Sequence, residues 1–182
     1  MNQTTFRPYR CSRRAFRSIG MSKGVANSKK EVHKRESASD KIKKVIRDLR
    51  SPKGYSSQRP FAIGLVEKRM EKFASDNNIE LSSKSVYMST KSITHAIRKS
   101  KGEKRLAVSG KDLIDFPSKR RSMDLFFDGK SFIYTDYKTK YIIHPNYKMK
   151  IDRNKISKVN FVTAGRVADP KEFKLKKYIK VI

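Results

Sequence analysis

Residues able to transfer protons and bind phosphate recur at helical spacing in the segment TKSITHAIR. Lys91, His95 and Arg98 stand at positions i, i+4 and i+7, which places them on one face of a helix. The isoleucines of the same segment would then point toward a core. An imidazole between two cations can act as a general acid or base beside a phosphate. The alternative interpretation is that the cations are solvated and His95 lies at the boundary of the core.

A hydroxyl and a guanidinium form a second candidate group at the end of an expected strand. Thr163 and Arg166 lie in the segment NFVTAGR, where they could bind a phosphate from the side of a sheet. Ordinary polarity at a strand end is the alternative. RNA cleavage without a metal needs a base near the 2′-hydroxyl, an acid near the 5′-oxygen and cations around the crowded phosphate. The two groups together contain residue types that meet these needs.

The usual signatures of metal-dependent and nucleotide-dependent enzymes are missing from the sequence. There is no glycine-rich phosphate loop, no paired-cysteine zinc spacing and no His-Glu-x-x-His motif. The three histidines, His33, His95 and His144, are far apart along the chain. Cys11 is the single cysteine, which excludes an intramolecular disulfide framework. We therefore expect neither a metal nor another cofactor.

Net charge is the strongest compositional feature. The 182 residues include 45 Lys and Arg but 17 Asp and Glu, for a formal charge of +28. Polyanions neutralise such a surplus readily, because each cation that meets a phosphate releases a counterion. No apolar run is long enough to cross a bilayer, and no basic segment has the wide apolar face of a membrane anchor. Nucleic acid is therefore the expected partner, and no membrane is expected.

The first 58 residues differ from the rest in composition. They are basic and poor in large apolar residues, with one candidate helix at about 38–50 and a linker after it. We interpret residues 1–58 as a nucleic-acid-binding arm. The cations expected to contact phosphate there are Arg10, Arg13, Arg14, Arg17, Lys43, Lys44 and Arg47. A mitochondrial transit peptide is the alternative for the first 30 residues, because it has a similar composition.

The elements that must position the candidate groups follow from residue 59. Helices are expected at 60–74, 90–99 and 111–116, with Ser89 as an N-cap and Pro117 as a stop. Strands are expected at 85–88, 123–127, 131–135, 141–144, 147–151 and 156–162, and the tail at 171–182 fits either a helix or a strand. Helices before an antiparallel meander predict an α+β domain over 59–182, with a sheet of four to five antiparallel strands.

Tyrosines and lysines are interleaved along the expected sheet. The members of this group are Tyr134, Tyr137, Lys138, Lys140, Tyr141, Tyr147, Lys148 and Lys150. Such a mixture suits stacking on unpaired bases with phosphate contacts alongside, and it equally suits an ordinary basic sheet face. From this group we select Tyr134, Tyr141 and Lys140 as candidate nucleic-acid contacts.

Three segments resemble the phage-associated members of the barnase–EndoU–colicin–RelE (BECR) nuclease group. They are SVYMSTKSITH at 85–95, YIIHPN at 141–146 and VNFVT at 159–163. In that group a short strand leads into a helix bearing a Lys and a His, and a terminal strand ends in a Thr or Ser. The resemblance covers roughly residues 80–170. It implies a four-stranded antiparallel sheet with preceding helices and a metal-independent RNase activity.

The same resemblance implies a role for each candidate residue. His95 would be the general acid or base, and Lys91 and Thr163 would stabilise the phosphorane. Arg98 and Arg166 would add supporting charge. The resemblance also favours RNA over DNA as the substrate. We therefore expect a protein of a phage or mobile element, located in the bacterial cytoplasm or the virion.

The chain departs from the group in one respect. Members often have a second strong acid or base, and here His144 could serve only if the bend at Pro145 turns it into the site. A non-catalytic nucleic-acid-binding protein, associated with the ribosome, nucleoid or virion, is therefore the alternative function. A toxic RNase would also need an inhibitor, which the sequence does not identify.

Overall fold

The structure, a computed structural model, describes residues 36–51, 59–98, 102–104, 106–152 and 155–182, with only the backbone at 151, 152, 155 and 156. The arginines expected to bind phosphate at positions 10, 13, 14 and 17 lie outside the described residues. So does the segment that resembles a transit peptide. The remaining candidate residues all fall within these ranges.

Helices and strands alternate in the first half of the described chain, and strands dominate the second. The helices are α1 (Ala38–Leu49), α2 (Lys68–Asp76), α3 (Thr90–Ile97) and α4 (Gly110–Lys119). The strands are β1 (Phe61–Leu65), β2 (Ser85–Met88), β3 (Asp124–Phe127), β4 (Phe132–Thr135), β5 (Thr139–Asp152), β6 (Lys155–Val167) and β7 (Ile179–Val181). Short 3₁₀ turns cover Arg120–Ser122 and Pro170–Lys174.

The strands form one mixed sheet in the order β1-β2-β6-β5-β4-β3-β7. β2 and β6 run parallel, and the other neighbouring pairs run antiparallel. The α+β class is therefore confirmed. The expected sheet of four to five antiparallel strands is not matched, because β1 and β7 extend it at its edges and β2 enters it in parallel.

The segment 60–74, expected as one helix, begins as strand β1. Phe61 and Ile63 are buried while Ala62 between them is exposed, which is the alternation of a strand rather than a helix. β1 pairs with β2 in antiparallel register, Phe61 opposite Met88. The helix starts only at Lys68. The spacing of the apolar residues also fits a helix, but pairing with the distant strand β2 stabilises the strand.

Prolines interrupt the regular elements less than expected. α4 runs through Pro117 to Lys119, at the loss of one backbone hydrogen bond. β5 continues past Pro145, which lies in a bulge between His144 and Tyr147. The two expected strands at 141–144 and 147–151 are therefore parts of one element.

Helix α1 belongs to the folded domain rather than to an arm. Ile42, Val45 and Ile46 are buried in the main core, and the helix packs against α3 and α4. Ser39 Oγ donates a hydrogen bond to the Ile114 carbonyl of α4 at 2.8 Å. Residues Arg35–Ile182 form one compact unit. The expected boundary near residue 58 thus falls too late, although the opposite face of α1 does expose cations, as expected for Lys43, Lys44 and Arg47.

Gly64 occupies a position that other residues cannot take without strain. Its φ is +153°, and a Cβ there would lie 2.5 Å from Nη2 of Arg120, which is buried and donates to the Leu65 carbonyl. We expect Gly64→Ala to lower the free energy of unfolding by about 1–3 kcal/mol in urea titrations. Gly102→Ala is the matched control, because nothing lies within 4 Å of a Cβ at that position. Equal midpoints for the two variants would contradict this account.

Candidate active site

A cleft of about 240 Å³ lies between α3 and the strands β5 and β6. We call it the His95 cleft, and its lining residues are Ser89, Lys91, Ser92, His95, Tyr147, Met149, Phe161 and Thr163. Three of the five candidate catalytic residues, Lys91, His95 and Thr163, line this one cleft. The fold therefore brings together two groups that the sequence separates by 68 positions.

A capping box fixes the helix that carries Lys91 and His95. Ser89 Oγ accepts from the Ser92 amide at 3.2 Å, and Ser92 Oγ accepts from the Ser89 amide at 3.3 Å. Ile93 and Ala96 are buried on the opposite side of α3, which sets the rotation of the helix. The residues at i and i+4 consequently face the cleft.

The parallel pairing of β2 with β6 sets the distance between the helix and the Thr163 strand. Val86 lies opposite Asn160, and Tyr87 lies opposite Phe161. The buried Asn160 side chain donates through Nδ2 to the Ser83 carbonyl at 2.5 Å, just before β2 begins. This bond between a side chain and a loop holds the beginning of β2 against β6. The end of β2, and with it the start of α3, is thereby placed beside the cleft.

Thr163 is the extra residue of a β-bulge. Ile142 pairs with Ala164 and Ile143 pairs with Val162, so Thr163 has no opposite residue on β5. Its Oγ1 donates to the Ile142 carbonyl at 3.3 Å. Bulges often redirect a side chain beside a functional site. Here the bulge lets Thr163 line the cleft while Val162 stays in the core.

The electrostatic character of the His95 cleft is positive. Within the part of the chain that the structure describes, its lining contains Lys91 and His95 but no Asp or Glu. Among the described residues, Lys91 makes no ion pair with an acidic side chain, and it is exposed. His95 is half-buried. Such a cleft favours an anionic ligand, and a phosphate is the anion that the composition of the chain suggests.

Arg98 and Arg166 lie outside the His95 cleft. α3 ends at Ile97, and Arg98 as its C-cap has the extended values φ −59° and ψ 147°. Its side chain lines a second cleft, together with Arg50 and Thr94. Arg166 is exposed and lies opposite Lys140 in the β5–β6 pairing. The spacing i, i+4, i+7 predicted a common face, but it holds only as far as the helix itself continues.

The selected tyrosines and Lys140 lie inside the protein rather than on a binding face. Tyr134 and Tyr141 are 0 % and 1 % exposed, and burial raises the pKa of both phenols. Tyr141 stacks on Phe116 with ring centroids 3.8 Å apart. Lys140 is buried and pairs with Glu172. The expectation that these residues contact nucleic acid therefore does not agree with the structure, because their side chains fill the interior.

Gly165 explains how Tyr141 fits. It lies opposite Tyr141 on β6, and a Cβ at Gly165 would meet the tyrosine ring at 3.3 Å. The glycine therefore leaves room for the ring to reach the core. Tyr147 belongs to the same interleaved group of tyrosines and lysines but was not among the candidate nucleic-acid contacts. Its side chain lines the His95 cleft.

His144 does not supply a second imidazole to the cleft. Its Nδ1 lies 2.9 Å from Ser131 Oγ, and it is not among the residues that line the cleft. The bend at Pro145 therefore does not turn it toward His95. The other lining residues are Ser92, Met149 and Phe161. No feature of the sequence distinguishes them from ordinary helix and strand residues.

The described residues contain no group of three or more His, Cys, Asp or Glu arranged to hold a metal ion. Nor, within the same ranges, is any helix long and apolar enough to cross a membrane. No protein-family model, no curated protein and no solved structure matches the chain significantly.

Proposed function

We propose that the chain is an endoribonuclease that cleaves RNA by transesterification without a metal. The observation that carries this proposal is the convergence of Lys91, His95 and Thr163 on one cleft, where no described lining residue carries a carboxylate. An imidazole, an ammonium and a hydroxyl around an anion-favouring cleft supply a proton-transfer group and phosphate-stabilising groups. The resemblance to the BECR group supports the same assignment of roles.

In the proposed reaction the 2′-oxygen attacks the adjacent phosphorus, and the bond from phosphorus to the 5′-oxygen breaks. His95 takes the proton from the 2′-hydroxyl as that oxygen attacks. Lys91 and the Thr163 hydroxyl stabilise the negative charge that accumulates on the phosphorane oxygens. The products are a 2′,3′-cyclic phosphate and a free 5′-hydroxyl.

The leaving 5′-oxygen needs a proton, and no second imidazole lies among the described lining residues to give one. Within the described lining, the Lys91 ammonium is the cationic donor other than His95, and water is the alternative donor. Lys91 would then act both on the phosphate charge and on the leaving group. DNA lacks the attacking 2′-hydroxyl, so the proposed substrate is RNA.

Cations outside the cleft would hold the substrate without taking part in the reaction. Lys43, Lys44 and Arg47 are exposed on α1, and the positive charge of the whole chain extends the same attraction. We propose that these residues, together with the basic N-terminal segment, bind RNA backbone. A phage or mobile-element protein acting in the bacterial cytoplasm or carried in the virion fits this combination, and a protein inhibitor would then be required.

Product analysis tests the proposed reaction. Full-length protein in buffer with a metal chelator is expected to cleave single-stranded RNA, and mass spectrometry of the products is expected to show 2′,3′-cyclic phosphate ends. An all-deoxy strand of the same sequence is the matched control and is expected to remain intact. RNA that stays intact over a range of pH and salt, or products with 5′-phosphate ends, would overturn the proposal.

The lining of the cleft also favours a second candidate, a non-catalytic nucleic-acid-binding protein. The observation behind it is that the described lining has one imidazole, without a second imidazole or a carboxylate. This candidate predicts binding that weakens steeply with salt and survives the loss of His95. The product analysis described above separates the two candidates, since a binding protein leaves both strands intact.

A further inference from the structure

An aromatic pair forms one wall of the His95 cleft. The rings of Tyr147 and Phe161 lie nearly parallel, at 23°, with centroids 4.8 Å apart. Phe161 is 6 % exposed, whereas Tyr147 is 41 % exposed. Phe161 therefore supports one face of the Tyr147 ring from below, and the rest of that ring remains open to a ligand.

Among the described residues, few contacts hold the exposed ring of Tyr147 in place, in contrast to the exposed ring of Tyr137. Tyr137 is exposed to a similar degree, 39 %, but its hydroxyl donates to Asp124 at 2.5 Å and its ring packs against Phe126 and Phe173. The hydroxyl of Tyr147 has no hydrogen-bond partner among the described residues, and its one ring contact there is Phe161. An aromatic ring held flat and left open is the arrangement that stacks a planar ligand.

Tyr147 is carried by a two-stranded ribbon that reaches beyond the rest of the sheet. Within the described residues, 147–152 of β5 and 155–159 of β6 pair with each other, while β4 pairs only as far as Ile143 and β2 only from Asn160. Alternation along a strand puts Tyr147 and Met149 on one face of the ribbon and Lys148 on the other. The lining of the His95 cleft includes the first two and not the lysine.

We propose that Tyr147 is the stacking platform for one unpaired nucleobase of the RNA, beside the phosphate held at Lys91 and His95. The proposal rests on the proposed function for the identity of the ligand. The cleft, at about 240 Å³, is smaller than the roughly 300–1,000 Å³ of sites for drug-sized ligands, so it suits a single nucleotide unit. Stacking on one ring tolerates any base, because every base has a π face.

The substrate class follows from this geometry. A base inside an A-form duplex is stacked between its neighbours, so it cannot also stack on a protein ring. Loops, bulges and single strands offer unpaired bases, and their phosphates can then enter the cleft. The enzyme is therefore specific for unpaired RNA, with little preference for base identity.

The test uses an RNA strand that binds but cannot react. A 2′-O-methyl oligonucleotide carrying one 2-aminopurine has no free 2′-hydroxyl, and stacking quenches its fluorescence. Full-length protein is titrated at elevated salt, which weakens phosphate contacts from other basic segments. We expect Tyr147→Leu to abolish the quenching and to raise Kd about 5- to 150-fold, and Tyr147→Phe to restore both.

Tyr137→Leu is the matched control, because Tyr137 is equally exposed and lies outside the His95 cleft; it is expected to quench like the wild type. A duplex of the same sequence is expected to show no quenching. Normal quenching by Tyr147→Leu, or equal quenching of the duplex, would overturn the inference. Quenching that depends on Tyr147, in a protein that never cleaves RNA, would overturn the proposed reaction and leave the stacking platform standing.

Discussion

His95→Ala is expected to slow RNA cleavage by about 100- to 10,000-fold, the usual contribution of a positioned general acid or base. The part of the cleft that the structure describes offers no second imidazole to replace it, since His144 is hydrogen-bonded to Ser131 outside the lining. Folding should be little affected, because His95 is only half-buried on a helix whose rotation is set by Ile93 and Ala96. Initial rates on a fluorescent single-stranded RNA measure the effect.

Three variants serve as controls for the loss at His95. His144→Ala removes the other imidazole of the described residues, and Arg98→Gln and Arg166→Gln each remove a cation that lies outside the cleft. We expect these variants to keep cleavage within about fivefold of the wild type at low salt. A contaminating nuclease would give equal rates for every preparation, His95→Ala included. That result, or a larger loss at Arg98 than at His95, would refute the assigned site.

Ile42→Ala is expected to lower the free energy of unfolding by about 2–5 kcal/mol, as for other fully buried aliphatic side chains. Ile42 is 0 % exposed and belongs to the same core as residues of α3, α4 and the sheet. Loss of stability should reach the His95 cleft as well, because α1 packs directly against α3. Urea denaturation followed by circular dichroism gives the free energy.

The matched control is Lys43→Ala on the exposed face of the same helix, for which a change within about 0.5 kcal/mol is expected. If α1 were instead part of a solvated arm, Ile42→Ala would be as mild as Lys43→Ala. The comparison therefore tests the domain boundary directly. It also tests whether the cations of α1 lie on the surface of the folded domain or on a separate segment.

Local signals in the sequence were sufficient for the helical part of the site. Ser89 was expected to cap α3, and the capping box is present. The spacing of Lys91 and His95 predicted a shared face, and the structure places both in the His95 cleft. Each of these features depends on residues within one or two helical turns, where the backbone periodicity fixes the geometry.

Features that depend on non-local pairing were not predictable in the same way. The sequence of β1 fits a helical pattern, and its pairing with β2 makes it a strand. The sequence around Tyr141 predicted a surface residue, although Gly165 on the opposite strand makes room for the ring in the core. The bulge at Thr163 arises from the register of two long strands, which no short pattern encodes. The expected catalytic cations differ for the same reason. Lys91 lies within the continuous helix, where the spacing rule holds, and Arg98 lies just beyond its end.

The parallel contact between β2 and β6 has a consequence for when activity can arise. Val86 and Asn160 are 74 positions apart, so this contact forms only after most of the domain has been synthesised. A nascent chain whose Thr163 is still inside the ribosome tunnel contains Lys91 and His95, but the cleft has not formed around them. The proposed nuclease would therefore stay inert toward the RNA that encodes it and the ribosome that makes it until Thr163 has left the tunnel.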